Sequence, residues 1–77
     1  MKEVNLNDIV DVRLSELDQK KLYSLENSYD SFEYQLNSSK NPIALDCSSK
    51  PYKIINGRHR IYLARQKGYK TIKVVCA

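Results

Sequence analysis

The residues best suited to chemistry in this sequence stand together between two apolar runs: Asn56, Gly57, Arg58, His59 and Arg60. An arginine side chain can bind phosphate oxygens through two parallel hydrogen bonds, which lysine cannot do. A histidine can donate a hydrogen bond or transfer a proton near neutral pH. The spacing therefore indicates a site for a phosphate or another anion, with an arginine on either side of His59.

The Asn56-Gly57 pair permits two interpretations. It is the strongest short signal for a type I′ hairpin, in which the three cations would lie on a returning strand. Alternatively, Gly57 ends a strand and opens a helix, whose first N–H groups lack intrahelical partners and carry partial positive charge. Arg65-Gln66-Lys67 followed by Gly68 is typical of a helix end and favours the second interpretation. Three cations at a helix start are unfavourable unless an anion offsets them.

Charge is distributed unevenly along the chain, whose net charge is +4. Residues 1–46 contain all nine acidic residues and five basic ones, whereas residues 47–77 contain eight basic residues and no acidic ones. A segment of one sign attracts phosphates if it packs as a unit. The alternative is a solvated basic face that pairs with the acidic half, with the arginines bound to acids such as Asp8 or Asp11.

The N-terminal half predicts a strand followed by helical structure. The run from Val4 to Val12 is rich in apolar and β-branched residues and is expected to form the first strand, with a turn at Asn7-Asp8. Ser15, three residues before Asp18, is the expected N-cap of a helix. One helical face is expected to contribute to the core through Leu22, Leu25, Tyr29, Phe32 and Leu36, either in one helix or with a second helix from Ser28.

The C-terminal half predicts short strands around one helix. Residues 37–41 form a loop by composition, and Pro42 suits the first residue of a strand that continues through Ile43 to Leu45. Tyr52 to Ile55 is expected to pair with that strand as a hairpin, and Thr71 to Val75 to form the last strand. The sequence thus predicts a single α+β domain over residues 1–77, with a small mixed sheet, an N-terminal helical segment and a C-terminal helix.

Composition limits the classes of function. No apolar run approaches the roughly 20 residues of a membrane span, and the N-terminus lacks a signal peptide's features, so a cytoplasmic protein is expected. Cys47 and Cys76 have no CxxC spacing, and the only histidine, His59, is distant from both in sequence, so no metal site is expected. Two free thiols are expected in a reducing compartment, although the sequence also permits a disulfide.

Several further residues are candidates for the site. Asp8 and Asp11, on or near the first strand, could act as general bases together with His59 if that strand borders the turn. Tyr62 could stack on a nucleic-acid base, since it follows the arginines on the expected helix. Arg65 and Lys53 are the other basic residues expected to contact nucleic acid.

The two segments PIAL (42–45) and YKIINGRHRIYLARQKGYKTIKVV (52–75) resemble the ParB/sulfiredoxin-like domain. Members share a sheet edge that leads to a Gly-x-x-Arg turn, a helix with a central alanine, a glycine stop and a final strand. The segment DIVDV and the helix expected from Ser15 are similar to the family's opening, so the resemblance covers nearly the whole chain. Gly57, His59 and Arg60 match the motif, and Arg58 stands at its variable position.

The resemblance implies that the turn binds the phosphates of a nucleotide. The sequence does not identify a cofactor, and a nucleotide with Mg²⁺ is the candidate. Sulfiredoxins have a catalytic cysteine at the position of Arg58, so sulfinic acid reduction is not expected. The chain is similar to small stand-alone members that include nucleases, nucleotide-using kinases and toxin domains of bacteria and mobile elements. The alternative is a non-catalytic immunity or inhibitor module that binds an acidic protein partner. Exposed sheet edges favour a homodimer.

Overall fold

The computed structural model of the chain describes residues 1–28 and 31–77. It is a small α+β fold, as the sequence predicts, with a four-stranded mixed sheet of order β1-β4-β2-β3. Its elements are β1 (Lys2–Asn5), α1 (Gln19–Glu26), α2 (Phe32–Leu36), β2 (Ile43–Asp46), β3 (Lys53–Asn56), α3 (Arg58–Gln66) and β4 (Thr71–Cys76). The parallel pair is β2 with β4, and the other two pairs are antiparallel.

The helices cover one face of the sheet. Burial alternates along β4, where Ile72 and Val74 are buried while Thr71 and Lys73 are exposed, as expected for a sheet with one wet face. The main core joins inward-facing strand residues to α2 and α3, and its fully buried side chains include Leu36, Ile43, Leu45, Ile61 and Val74. No helix in the described part of the chain has the length and apolar character needed to cross a bilayer.

The first strand is shorter than the sequence predicts. The expectation of a strand from Val4 to Val12 is wrong, because β1 ends at Asn5 and a 3₁₀ turn follows over Leu6–Asp8. The Asn5 side chain accepts a hydrogen bond from the Asn7 N–H and caps this turn. Ile9 then forms only an isolated bridge with Tyr52. The apolar character of the run comes from Leu6 and Ile9, which enter the core from this irregular segment.

The helical segment also begins later than predicted. A 3₁₀ turn occupies Leu14–Glu16, and the N-cap of α1 is Asp18, whose Oδ1 accepts the N–H of Lys20 at 2.8 Å. The prediction of Ser15 as the cap is therefore wrong. Of the two alternatives, the presence of two helices is confirmed, but the predicted start at Ser28 is wrong, because α2 begins at Phe32 with Ser31 as its N-cap. Leu22 and Leu36 are buried, and the predicted core residue Tyr29 lies outside the described residues.

The C-terminal half agrees closely with the prediction. Strand β2 begins one residue after Pro42, β3 pairs with it as a hairpin, and β4 ends the fold. The hairpin interpretation of Asn56-Gly57 is wrong, since α3 starts at Arg58. Tyr52 and Tyr69 pack on the main core.

The two cysteines form a disulfide in this structure. Cys47, just after β2, is bonded to Cys76, the last residue of β4, across a sequence separation of 29 residues. The expectation of two free thiols is wrong, because the parallel pairing of β2 with β4 brings both strand ends together. Disulfides persist mainly in oxidising compartments. A cytoplasmic location stays a prediction, and the disulfide weighs against it.

Candidate phosphate-binding cleft

The turn between β3 and α3 depends on glycine. Gly57 has φ +104°, a conformation that L side chains rarely adopt, and a Cβ atom there would lie 2.8 Å from Ile43 Cγ1. The first hydrogen bond of α3 runs from the Ile61 N–H to the Gly57 carbonyl. The preceding N–H groups, those of residues 58–60, therefore have no partner within the helix, and Gly57 offers no side-chain cap. These donors and the helix dipole make the turn electropositive.

A cleft of about 510 Å³ opens at this turn and extends to the start of α1. Its volume lies within the usual range for small-ligand sites. Its described lining includes cations and neutral polar groups but no carboxylate: Lys20, Lys21 and Ser24 of α1, and Asn41, Asn56, Gly57, His59 and Arg60. The cleft is thus a basic, polar concavity at the start of α3.

His59 connects the two helices that border the cleft. The Asp18 N–H donates a hydrogen bond to His59 Nε2 at 2.9 Å. Nε2 must be unprotonated to accept it, so the ring is neutral with its proton on Nδ1. The pKa of His59 is lowered mainly by burial and further by Lys21 and Arg58, while Asp18 opposes this. With Nε2 engaged, the predicted role of His59 in proton transfer is not supported by this geometry.

Arg60 is a buried anchor. Only 7% of the residue is exposed, and its Nη1 donates to the carbonyls of Asn41 at 2.7 Å and Gln35 at 3.2 Å. Burial also lowers the pKa of its guanidinium group. Arg60 therefore ties the loop before β2 and the end of α2 to α3. Its charge contributes to the cleft, but part of its hydrogen-bonding capacity is already used by these carbonyls.

The other residues predicted for phosphate binding lie at the same turn. The Asn56 Nδ2 group donates to Asn41 Oδ1 at 3.1 Å and to the Pro42 carbonyl at 3.3 Å, so this amide fastens β3 to the loop before β2. Arg58 is half-buried in the first turn of α3. The structure thus brings residues 56–60 together, although Asn56 and Arg60 have structural partners that the sequence did not indicate.

The two predicted carboxylate bases do not line the cleft. Asp8 lies in the 3₁₀ turn after β1, where its Oδ2 is 3.6 Å from the Lys50 ammonium group. Its carbonyl accepts the Tyr52 N–H, which places it beside the start of β3, whereas Gly57 follows the end of that strand. Asp11 is exposed in the segment between the two 3₁₀ turns. Asp8 and Asp11 are candidate bases only if the first strand borders the turn at Gly57. It does not, because β1 and β3 lie at opposite edges of the sheet.

The residues predicted to contact nucleic acid are dispersed. Tyr62 packs against a small cluster of Leu17, Leu22 and Leu63, on a groove between α1 and α3 that is separate from the cleft. The Arg65 guanidinium donates three hydrogen bonds to the carbonyls of Leu6, Ile9 and Val10. Lys53 is exposed on β3.

In the described structure, Arg60 and Arg65 do not form the expected ion pairs with acidic residues. Arg60 and Arg65 donate to backbone carbonyls, and the ion pairs found among the described residues are Lys50 with Asp8 and Lys67 with Glu26. An irregular segment has carbonyls that no helix or strand satisfies, and a guanidinium group can bind several of them at once. These arginines hold loops in place.

Lys20 and Lys21 are the cleft residues that sequence reasoning missed. They belong to the acidic half of the chain, so a count of charges by halves assigns them no role. Yet they are two cations in the first turn of α1, where cations are unfavourable. Cations in a first helical turn are the signal that indicates a site at residues 58–60, and the same signal applies to Lys20 and Lys21 because Asp18 is the N-cap of α1.

The cleft does not fit a magnesium ion held by protein ligands. Mg²⁺ is usually bound through carboxylates, and none of the described lining side chains is one. In the described part of the chain, no three or more His, Cys, Asp or Glu residues are grouped so that they could hold a metal ion.

Searches of protein-family models, curated proteins and solved structures found no significant match to this chain. The resemblance to the ParB/sulfiredoxin-like domain therefore stays a prediction.

Proposed function

We propose that this protein is a phosphate-recognising domain that binds a nucleotide or nucleic acid in the cleft at the start of α3. One observation carries the proposal: the start of α3, through Gly57, His59 and Arg60, lines one cleft with Lys20 and Lys21, and no described carboxylate lines it. The two halves of the sequence thus supply different parts of one electropositive site.

The chemistry of the cleft suits phosphate. Backbone N–H groups at a helix start point toward a bound anion, and the dipole adds to their attraction. Gly57 allows the anion to approach the backbone closely. Lys20 and Lys21 are exposed point charges that can neutralise phosphate oxygens from the opposite wall. The half-buried Arg58 adds a charge at the same turn.

The geometry supports binding better than hydrolysis. A nuclease requires a group that activates the attacking water. Here His59 Nε2 accepts the Asp18 N–H, and the side chains of Asp8 and Asp11 do not line the cleft. The proposal is therefore one of recognition, and nuclease or toxin activity stays a prediction.

Removing the two lysines tests this proposal. The double variant Lys20→Ala/Lys21→Ala is compared with Lys70→Ala/Lys73→Ala, which removes the same charge from exposed positions that do not line the cleft. Binding of ATP and of a labelled single-stranded oligonucleotide is measured by calorimetry and fluorescence anisotropy. We expect the first variant to bind about tenfold more weakly than the second, given modest contributions from each exposed charge.

The salt dependence provides a second readout. Wild-type binding should weaken as salt is added, and removal of each phosphate-contacting lysine should reduce the slope by about 1 for duplex DNA and somewhat less for a single strand. Equal losses in both double variants would contradict the proposal, as would absence of wild-type binding at low salt. Arg60→Ala is a poor probe, since Arg60 holds two backbone carbonyls.

A further inference from the structure

Asp18 makes one hydrogen bond to α3 and one within the first turn of α1. Its N–H donates to His59 Nε2 at 2.9 Å, and its own Oδ1 accepts the Lys20 N–H at 2.8 Å. The residue that caps the helix is thus also the residue that His59 holds. Lys20 and Lys21 follow directly, so the position of this cap sets where both lysines enter the cleft.

We propose that neutral His59 is the positioning residue of the cleft: by accepting the Asp18 N–H, it holds the first turn of α1, and with it Lys20 and Lys21, against the start of α3. The inference rests on the proposed function only for what those lysines bind. The bond itself is a contact between two helices and can be tested without a ligand.

Packing elsewhere on α1 makes this contact a local latch. Leu17 and Leu22, which flank Asp18 and the two lysines, are buried with Leu63 in a cluster that holds this segment on α3. Loss of the bond to His59 therefore leaves the segment docked and releases only the turn between the two leucines. Lys20 and Lys21 lie within that turn.

Protonation of the His59 ring breaks its hydrogen bond with the Asp18 N–H. Once Nε2 carries a proton it is a donor and cannot accept the Asp18 N–H. The charged groups that face His59 in the described structure are Asp18 and Lys21 from α1 and Arg58 from α3. Two of these three are cations, and burial also penalises the imidazolium, so the contact is set to break below the ordinary titration range of histidine.

The test is an NMR titration of the unmodified protein from pH 8 to pH 5. His59 is the only histidine, so its ring resonances need no assignment by mutation. We expect the Nδ1–H tautomer at high pH and a ring midpoint below the ordinary value of 6.5. The amides of Asp18, Lys20 and Lys21 should shift with the same midpoint, and the hydrogen-exchange protection of Asp18 should fall over the same range.

Two variants separate positioning from mere packing. His59→Gln retains an acceptor that does not titrate, so Asp18 should remain protected while its transition in this pH range disappears. His59→Leu removes the acceptor, so protection at Asp18 should be lost at every pH. The proposal is overturned by an Nε2–H tautomer, by a midpoint at or above 6.5, or by an Asp18 amide that ignores the His59 titration. None of these outcomes depends on phosphate binding, so failure of the latch and failure of the proposed function are distinguishable.

Discussion

Strand β2 is anchored differently at its two ends. At its start, Ile43 lies under Gly57, and the adjoining segments are tied together by hydrogen bonds from Asn56 and Arg60. At its end, a covalent bond joins Cys47 to the last residue of β4. The first anchor is made by residues of the proposed cleft, whereas the second is separate from it. Stability and binding should therefore be coupled at one end of β2 and independent at the other.

The disulfide end should give the largest loss of stability with no effect on binding. Replacing Cys47 and Cys76 together with serine is expected to lower the free energy of unfolding by roughly 3 to 4 kcal/mol, from the chain entropy of a loop of this length. Urea denaturation measures the loss, and calorimetry with ATP at low temperature measures binding. A weaker affinity in the folded double variant would show that the two ends of β2 are not independent.

The two glycines provide a sharper contrast at the cleft end. Gly57→Ala combines a left-handed φ with a clash against Ile43, and should cost about 3 kcal/mol of unfolding free energy. Gly68→Ala has a left-handed φ of +82° but no heavy atom within 4 Å of the added Cβ, so about 1 kcal/mol is expected. Urea denaturation of both variants checks the difference. Similar losses would mean that the close contact with Ile43 contributes little.

Arg60 and Arg65 both stabilise the fold by binding backbone carbonyls, but only Arg60 also lines the cleft. Arg60→Met and Arg65→Met each leave backbone carbonyls without their donor, and each should cost about 2 kcal/mol. Only Arg60 lines the cleft, so only its replacement should also weaken ATP binding at a temperature where both variants are folded. Equal affinities would place Arg60 outside the binding machinery.

The smallest effect expected is the pH dependence of stability from His59. Its pKa is lowered in the folded state, so the unfolded chain binds more protons between that lower pKa and 6.5. The contribution is therefore fully present above pH 6.5 and declines as pH falls below it. Urea denaturation at a series of pH values should show this decline in the wild type and not in His59→Gln. The lowered pKa of Asp46 acts below its ordinary 3.8, in a separate range.

The parts of the fold that the sequence predicts well are those set by local chemistry. Gly57 and Gly68 bracket α3 because each requires a positive φ, and such a signal is visible without knowing the partners. The short strands β2 and β3 are likewise next to each other in sequence. The end of β1 depends instead on its pairing with the distant β4. The apolar run from Val4 to Val12 therefore does not predict where the strand ends.

Of the candidate site, the sequence predicts the helix start that follows Gly57 but not the residues that surround it. The helix start at residues 58–60 follows from the glycine, but the opposite wall comes from α1, whose docking on α3 depends on non-local packing of Leu22 and Leu63. Arginine is usually exposed, so nothing in its neighbours marked Arg60 as buried. The disulfide was equally hidden, because only the parallel pairing of β2 with β4 brings Cys47 to Cys76.

The most direct test of the central claim is a titration of the isotope-labelled protein with inorganic pyrophosphate, followed by backbone amide NMR. We expect saturable shifts at the start of α3, in Gly57, Arg58 and His59, together with Lys20 and Lys21, and none at Cys47 or Cys76. That pattern would place the anion in the cleft between the two helix starts. Shifts confined to lysines outside the cleft, such as Lys70 and Lys73, or no saturable shifts at all, would contradict the account.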